Sequence, residues 1–180
     1  MEENIVVSES KKDLLDEIIY CGIGSNESVL HFGACYFDND FMKTLDEFEL
    51  DIEYTAVDVH DNIKTFFSDY QPYERTHPWV SVQESMQEFI DNITDERYNW
   101  TIISGIFDKP IYTNRQYVFI DEVVNKCLSF SDNLIITIDI KETPTFQYNA
   151  GFLILHFISK YKKITVKKIT ETRFIFCINN

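Results

Sequence analysis

The sequence predicts an α/β fold: a seven-stranded, mostly parallel sheet with helices on both faces and a C-terminal antiparallel hairpin. Three observations predict it. Strand-like apolar runs alternate with helix-length amphipathic segments, the order expected of a parallel sheet with right-handed crossovers. The run Asn133–Ile138 is almost wholly apolar, as a strand covered on both faces must be. The last two runs, Lys163–Ile169 and Arg173–Ile178, are separated only by Thr170-Glu171-Thr172, which is too short for anything but a hairpin.

Each element has its own signal. A first helix is predicted over Ser8–Cys21, with Ser8 or Ser10 as cap, an apolar stripe of Leu14, Leu15, Ile18 and Ile19, and Gly22 and Gly24 ending it. The first strand is Ser28–Gly33. Its helix covers Asn39–Phe48, with Asp38 or Asn39 as cap. The second strand is Glu53–Val59, followed by a helix near Asp61–Asp69 and a two-proline loop, Gln71–Pro78. Trp79–Gln83 is the third strand, Met86–Ile93 a short helix and Trp100–Ser104 the fourth strand. A loop carrying Pro110 leads to a helix over Arg115–Phe130, striped by Tyr117, Ile120, Val124, Cys127 and Leu128. The fifth strand and a helix over Phe146–Lys160 precede the hairpin.

The 180 residues fit a single domain spanning 1–180, and 44% hydrophobic content supports a packed core. Aromatics reach 15%, which points to a core or an interface rich in rings. The formal net charge of −14 disfavours nucleic acid as a partner, because such binding rests on cations neutralising phosphates. The lysines at 160, 162, 163, 167 and 168 read as a solvated edge strand guarded against aggregation. The four cysteines form no Cys-x-x-Cys pair and fit small core residues in a reducing compartment. Met1-Glu2-Glu3-Asn4 is acidic where a secretory signal is basic and then apolar, and no run is long enough to span a bilayer. A cytoplasmic location is therefore expected. The Asn, Lys and Ile usage suggests an AT-rich genome, consistent with a viral protein in host cytoplasm or virion.

Three segments carry a resemblance. Val29–Phe37 is a strand running into a tight turn, Tyr54–Val59 is a strand with Asp58 at its tip, and Trp100–Phe107 is a strand followed by Ser104-Gly105-Ile106-Phe107. Together with the strand plan, they resemble the class I S-adenosylmethionine (SAM) dependent methyltransferases over nearly the whole chain. The resemblance implies SAM as cofactor, with Gly33, Cys35, Asp58, Glu84 and Ser104 around it. Asp58 would hold the ribose, and Glu84 and Ser85 would flank the adenine. Phe107, Asp108 and Tyr112 would form the acceptor-side loop.

The first motif departs from the family pattern. His31 stands in the place of an acid, Gly33 keeps the first glycine, and Cys35 and Phe37 replace the next two. Glycines there allow positive φ and a close approach to the ligand; a β-carbon in a left-handed turn costs about 1–2 kcal/mol. These replacements, with the bulk of the Phe37 ring, point to an eroded cofactor loop. The two prolines of the motif by which amino-methyltransferases grip a planar amine are missing at Ser104–Phe107, which disfavours base methylation.

Bland readings stand beside these. Asp58 or Ser85 can cap the helix after it, and Asp108 can be an exposed loop acid. His31, Cys35, Asp58 and His60 are zinc-binding types, but their spacing matches no metal pattern. The helix over 146–160 is apolar on two sides, which suggests a second burial surface through Phe152 and Phe157 against a protein partner or a second copy. Two functions remain open. The sequence favours a methyltransferase-fold module without catalysis or a bound cofactor; the alternative is an active SAM-dependent methyltransferase on a small molecule or protein.

Overall fold

A computed structural model describes residues 11–37, 39–68, 75–107, 117–139 and 154–180. Helix α1 is Lys11–Ile19, and it buries Leu14, Leu15, Ile18 and Ile19 as its stripe predicts. Strand β1 (Ser28–Phe32) leads through a 3-10 turn at Ala34–Tyr36 into α2 (Asp40–Glu47), which buries Phe41, Met42 and Leu45. Strand β2 is Glu53–Asp58, β3 is Trp79–Gln83, and α3 is Met86–Asn92. Strand β4 is Tyr98–Ser104, α4 is Tyr117–Phe130, and β5 is Ser131–Asp139. A helix α5 covers residues 154–160, and β6 (Ile164–Lys168) and β7 (Arg173–Asn179) form the hairpin.

The strands make one seven-stranded sheet in the order β3-β2-β1-β4-β5-β7-β6. Pairings from β3 to β5 are parallel, and β7 runs antiparallel between β5 and β6. The order reverses between β1 and β4, where such sheets open a crevice at their carboxyl ends. Side chains alternate between two cores. Val29 joins Phe41, Tyr54, Ile102 and Ile135 on the side of α1 and α2. Leu30 and Phe32 join Val57, Ile103, Val124 and Ile136 on the other side. Burial on both faces explains why β5 reads as a continuous apolar run.

Two expectations change. The helix near Asp61–Asp69 is only a 3-10 turn at Asp61–Thr65, anchored by the buried Ile63. Phe157, expected at a partner contact, is fully buried and packs edge-on against Phe176 of β7, with ring centroids 5.2 Å apart. The described apolar side chains that α5 exposes are Leu155 and Ile158. Strand β6, which carries Lys167 and Lys168, is an outer strand of the sheet as expected, and Lys160, Lys167 and Lys168 pair with Asp121, Glu17 and Glu171. Phe152, residues 146–153 of the expected helix, and the candidate caps Ser8, Ser10 and Asp38 lie outside the described residues.

One polar cluster sits inside the first core. His31 is fully buried; its Nδ1 lies 2.8 Å from the Tyr54 hydroxyl and its Nε2 lies 3.0 Å from the Ser104 hydroxyl. The Phe37 and Phe41 rings pack around it. Burial disfavours the charged imidazolium and pushes the His31 pKa down to about 3.

Two outcomes follow from this packing. Below about pH 6.5 the unfolded chain takes up a proton at His31 that the folded chain does not. The stability held by this group is whole above that pH and is lost as pH falls toward 3. Urea titrations at pH 7 and pH 5 should differ by about 2 kcal/mol from His31 alone, a component missing in His31→Phe. Phe157→Ala should cost about 3–5 kcal/mol in the same assay, as a core truncation and not a surface change.

Candidate functional site

The crevice is built on the turn after β1. Gly33 has φ 73° and ψ 34°, and its N–H donates to the Val57 carbonyl at 2.9 Å. A β-carbon there would collide with the carbonyl oxygen of Ser104, the last residue of β4. Glycine is thus required both by the left-handed backbone and by the close approach of two strand ends. Beyond Gly33 the chain winds into the 3-10 turn, and the Tyr36 N–H donates back to the Gly33 carbonyl at 3.0 Å.

In this turn the Phe37 ring does not plug the crevice, contrary to the expectation from its bulk. Cys35 and Phe37, in the places of glycines, do not adopt positive φ, and Phe37 has φ −97°. No left-handed strain falls on them. Phe37 is fully buried in the first core, and its ring stands 5.9 Å from that of His31. It lies beneath the crevice and not within it.

The turn and the tip of β2 hold each other. The Cys35 N–H donates to Asp58 Oδ2 at 3.1 Å, and the His60 N–H donates to Asp58 Oδ1 at 3.0 Å. Each carboxylate oxygen therefore accepts one backbone hydrogen bond and keeps a further acceptor position. The Glu84 N–H donates to the Asp58 carbonyl at 3.1 Å, which brings the end of β3 alongside. Ser85 caps α3 in a full capping box with Glu88 and also lines the cavity.

These elements enclose a cavity of about 380 Å³, in the range of small-ligand sites. Gly33, Cys35, Asp58, Glu84 and Ser104, the residues expected around a cofactor, all line it. Tyr36, Val57, Met86 and Ile106 give it apolar walls that the sequence reading did not assign. Tyr36 carried a signal, since it lies within the first motif. Met86 follows Glu84 and Ser85 directly. The Tyr36 ring lies against Gly105, whose φ of 61° and missing side chain make room for it.

The acceptor side fits the expectation less well. Phe107 is buried in the second core and is not a wall of the cavity, because the left-handed turn at Gly105 lets the chain drop it inward. Asp108 and Tyr112 lie outside the described residues. His31 faces Tyr54 and Ser104 and not a shared centre with Asp58, and no cluster of three metal-ligating side chains occurs among the described residues. No helix among the described residues is long and apolar enough to cross a membrane.

No protein-family model and no curated protein sequence matches the chain. Solved structures do. The bifunctional kinase-methyltransferase WbdD superposes with a TM-score of 0.69 at 14% identity, over 96% of this chain and 40% of its own. This chain thus spans less than half the length of WbdD. The 16S rRNA methylase ArmA gives a TM-score of 0.58 at 16% identity, over 94% of this chain and 81% of its own. A Clostridium thermocellum protein described as an rRNA-methylase gives 0.59 at 13% identity, over 97% of this chain and 99% of its own. At such identities the likeness is one of fold, and it agrees with the strand order and the terminal hairpin. The chain has the class I SAM-dependent methyltransferase fold.

Proposed function

We propose that this chain binds SAM in the cavity above Gly33 and transfers its methyl group to a small molecule or protein. The observation that carries this reading is the open volume beside Asp58, with Phe37 turned away into the core. The sequence favours an inert module because the motif glycines and acid are replaced and the 146–160 helix is apolar on two sides; the buried Phe37 ring, outside the cavity, supports the active reading instead.

The lining suits this cofactor chemically. Among the described residues it contains Asp58 and Glu84 and neither lysine nor arginine. Nothing there neutralises a phosphate chain, whereas a sulfonium and an amino group are cations and a ribose offers hydroxyls. The spare acceptor positions of Asp58 fit ribose hydroxyls. Val57, Met86 and Ile106 offer apolar surface to a planar base.

SAM, when bound, supplies an electrophilic methyl group on a good leaving group. The protein's part is orientation. Asp58 and Glu84 fix one end of the cavity, and the close contact of Gly33 with Ser104 fixes its floor. Tyr36 and Ile106 narrow the side toward the turn after β4 and limit the entry of water. The formal charge of −14 supports an acceptor other than nucleic acid, unlike the rRNA methylases that share the fold.

The second reading, a non-catalytic module that docks a protein partner or a second copy, draws on Leu155 and Ile158 of α5. They are 66% and 51% exposed.

Calorimetry and thermal shift with S-adenosylhomocysteine separate the two. Sub-millimolar ligand should raise the melting temperature of the parent by mass action. Asp58→Ala should weaken binding by about 1.5–3 kcal/mol, as for a lost hydrogen bond to a charged group. No binding by the parent at millimolar ligand would leave the module reading standing.

A further inference from the structure

We propose that His31 is a positioning residue of the cavity: by bridging Tyr54 and Ser104 it fixes the end of β4, so that ligand affinity depends on the His31–Ser104 hydrogen bond. The inference rests on the reading of the cavity as a cofactor site.

The register shows why such a tie is needed. Strand β1 pairs with β4 only as far as Phe32 opposite Ile103. Ser104 lies one residue beyond. It pairs with Thr137 on the β5 side, but it has no ladder partner on the β1 side. On that side the Ser104 hydroxyl is held by His31 Nε2, while its carbonyl presses against Gly33. Ser104 and Gly33 both line the cavity, so a shift of Ser104 moves the floor and the Gly105–Ile106 wall that follows it.

The other ring nitrogen completes the arrangement. Tyr54 stands on β2 opposite Val29, and its hydroxyl meets His31 Nδ1. One side chain of β1 thus ties the strands on either side of it. Tyr54 and His31 are fully buried, and Ser104 is 1% exposed. A neutral imidazole has one donor and one acceptor nitrogen, and each hydroxyl can play either part, so both nitrogens are satisfied in either tautomer. The groups that face the ring are Tyr54, Ser104, Phe37 and Phe41, none of them charged at neutral pH. A carboxylate in this place would be buried against Tyr54, Ser104, Phe37 and Phe41, none of which carries a positive charge. Histidine spans the same gap without a charge.

The test measures S-adenosylhomocysteine binding by calorimetry in the parent, His31→Phe, His31→Gln, Ser104→Ala and the double variant His31→Phe/Ser104→Ala. His31→Phe and Ser104→Ala should each weaken binding roughly fivefold to tenfold, as for one lost hydrogen bond. The double variant should be no weaker than either single one, because both remove the same link. His31→Gln, whose amide can still reach a hydroxyl, should recover part of the affinity, which a loss of packing alone would not allow. Ser104→Ala is a small deletion and keeps the test readable if His31→Phe does not fold. Nitrogen NMR of the ring supplies a ligand-free check: one protonated and one bare nitrogen, unchanged from about pH 8 to pH 5. Parent-like affinity in Ser104→Ala, additive losses in the double variant, or a His31 ring that titrates near its ordinary value would each overturn the assignment to His31 alone. A parent that does not bind the ligand overturns the cofactor reading, and this role with it.

Discussion

The structure turns on one steric contact, that of the Gly33 backbone with the Ser104 carbonyl where β1 and β4 end. The first connection leaves β1 toward β2, and β4 lies on its other side, so the two strand ends diverge above that contact. With no room for a side chain, the chain leaves β1 in a left-handed turn and then tightens into a 3-10 turn. The tightening aims the Cys35 N–H at Asp58 and rotates Phe37 downward. The crevice, its acidic side and its floor at Gly33 and Ser104 all follow from that turn. One glycine is enough because the residues after it return to ordinary right-handed backbone.

Much of this was legible in the sequence. Strand positions follow from apolar runs, the doubly covered β5 from its lack of polar interruptions, and the hairpin from the three-residue spacer at Thr170–Thr172. The place of Asp58 at the tip of β2 was legible because a strand tip sits at a fixed place in such sheets. The direction of Phe37 was not legible. A turn with glycines replaced can either open a loop under strain or wind more tightly, and the choice depends on what lies beneath it. Here that is the cluster of His31, Phe41 and Tyr54. Phe157 failed for a related reason. Helical periodicity shows that a helix has two apolar sides, but not which of them the sheet will cover. The role of His31 was hidden because its partners lie 23 and 73 residues away in sequence.

The electrostatics of the cavity narrow its ligand more than its shape does. Among the described residues, the Asp58 and Glu84 carboxylates and a lining without lysine or arginine suit a cation with hydroxyls better than a polyphosphate. Many nucleotide sites on related sheets use a helix N-terminus and several glycines to receive phosphate. Here Ser85 and Glu88 close the start of α3 with a capping box that takes up their own two backbone N–H groups.

The placement of β7 between β5 and β6 has a consequence for biogenesis. During synthesis the ribosome delivers residues 131–139 and 164–168 before residues 173–179, yet β6 reaches the sheet only through β7. Until those last residues emerge, the outer edge of β5 stays bare, a long apolar strand with unpaired backbone groups. Such an edge invites pairing with another nascent chain. Seven register pairs and the Arg173–Asp139 ion pair then close it in one step. Truncations or stalls that remove β7 should therefore yield aggregates and not a smaller folded sheet.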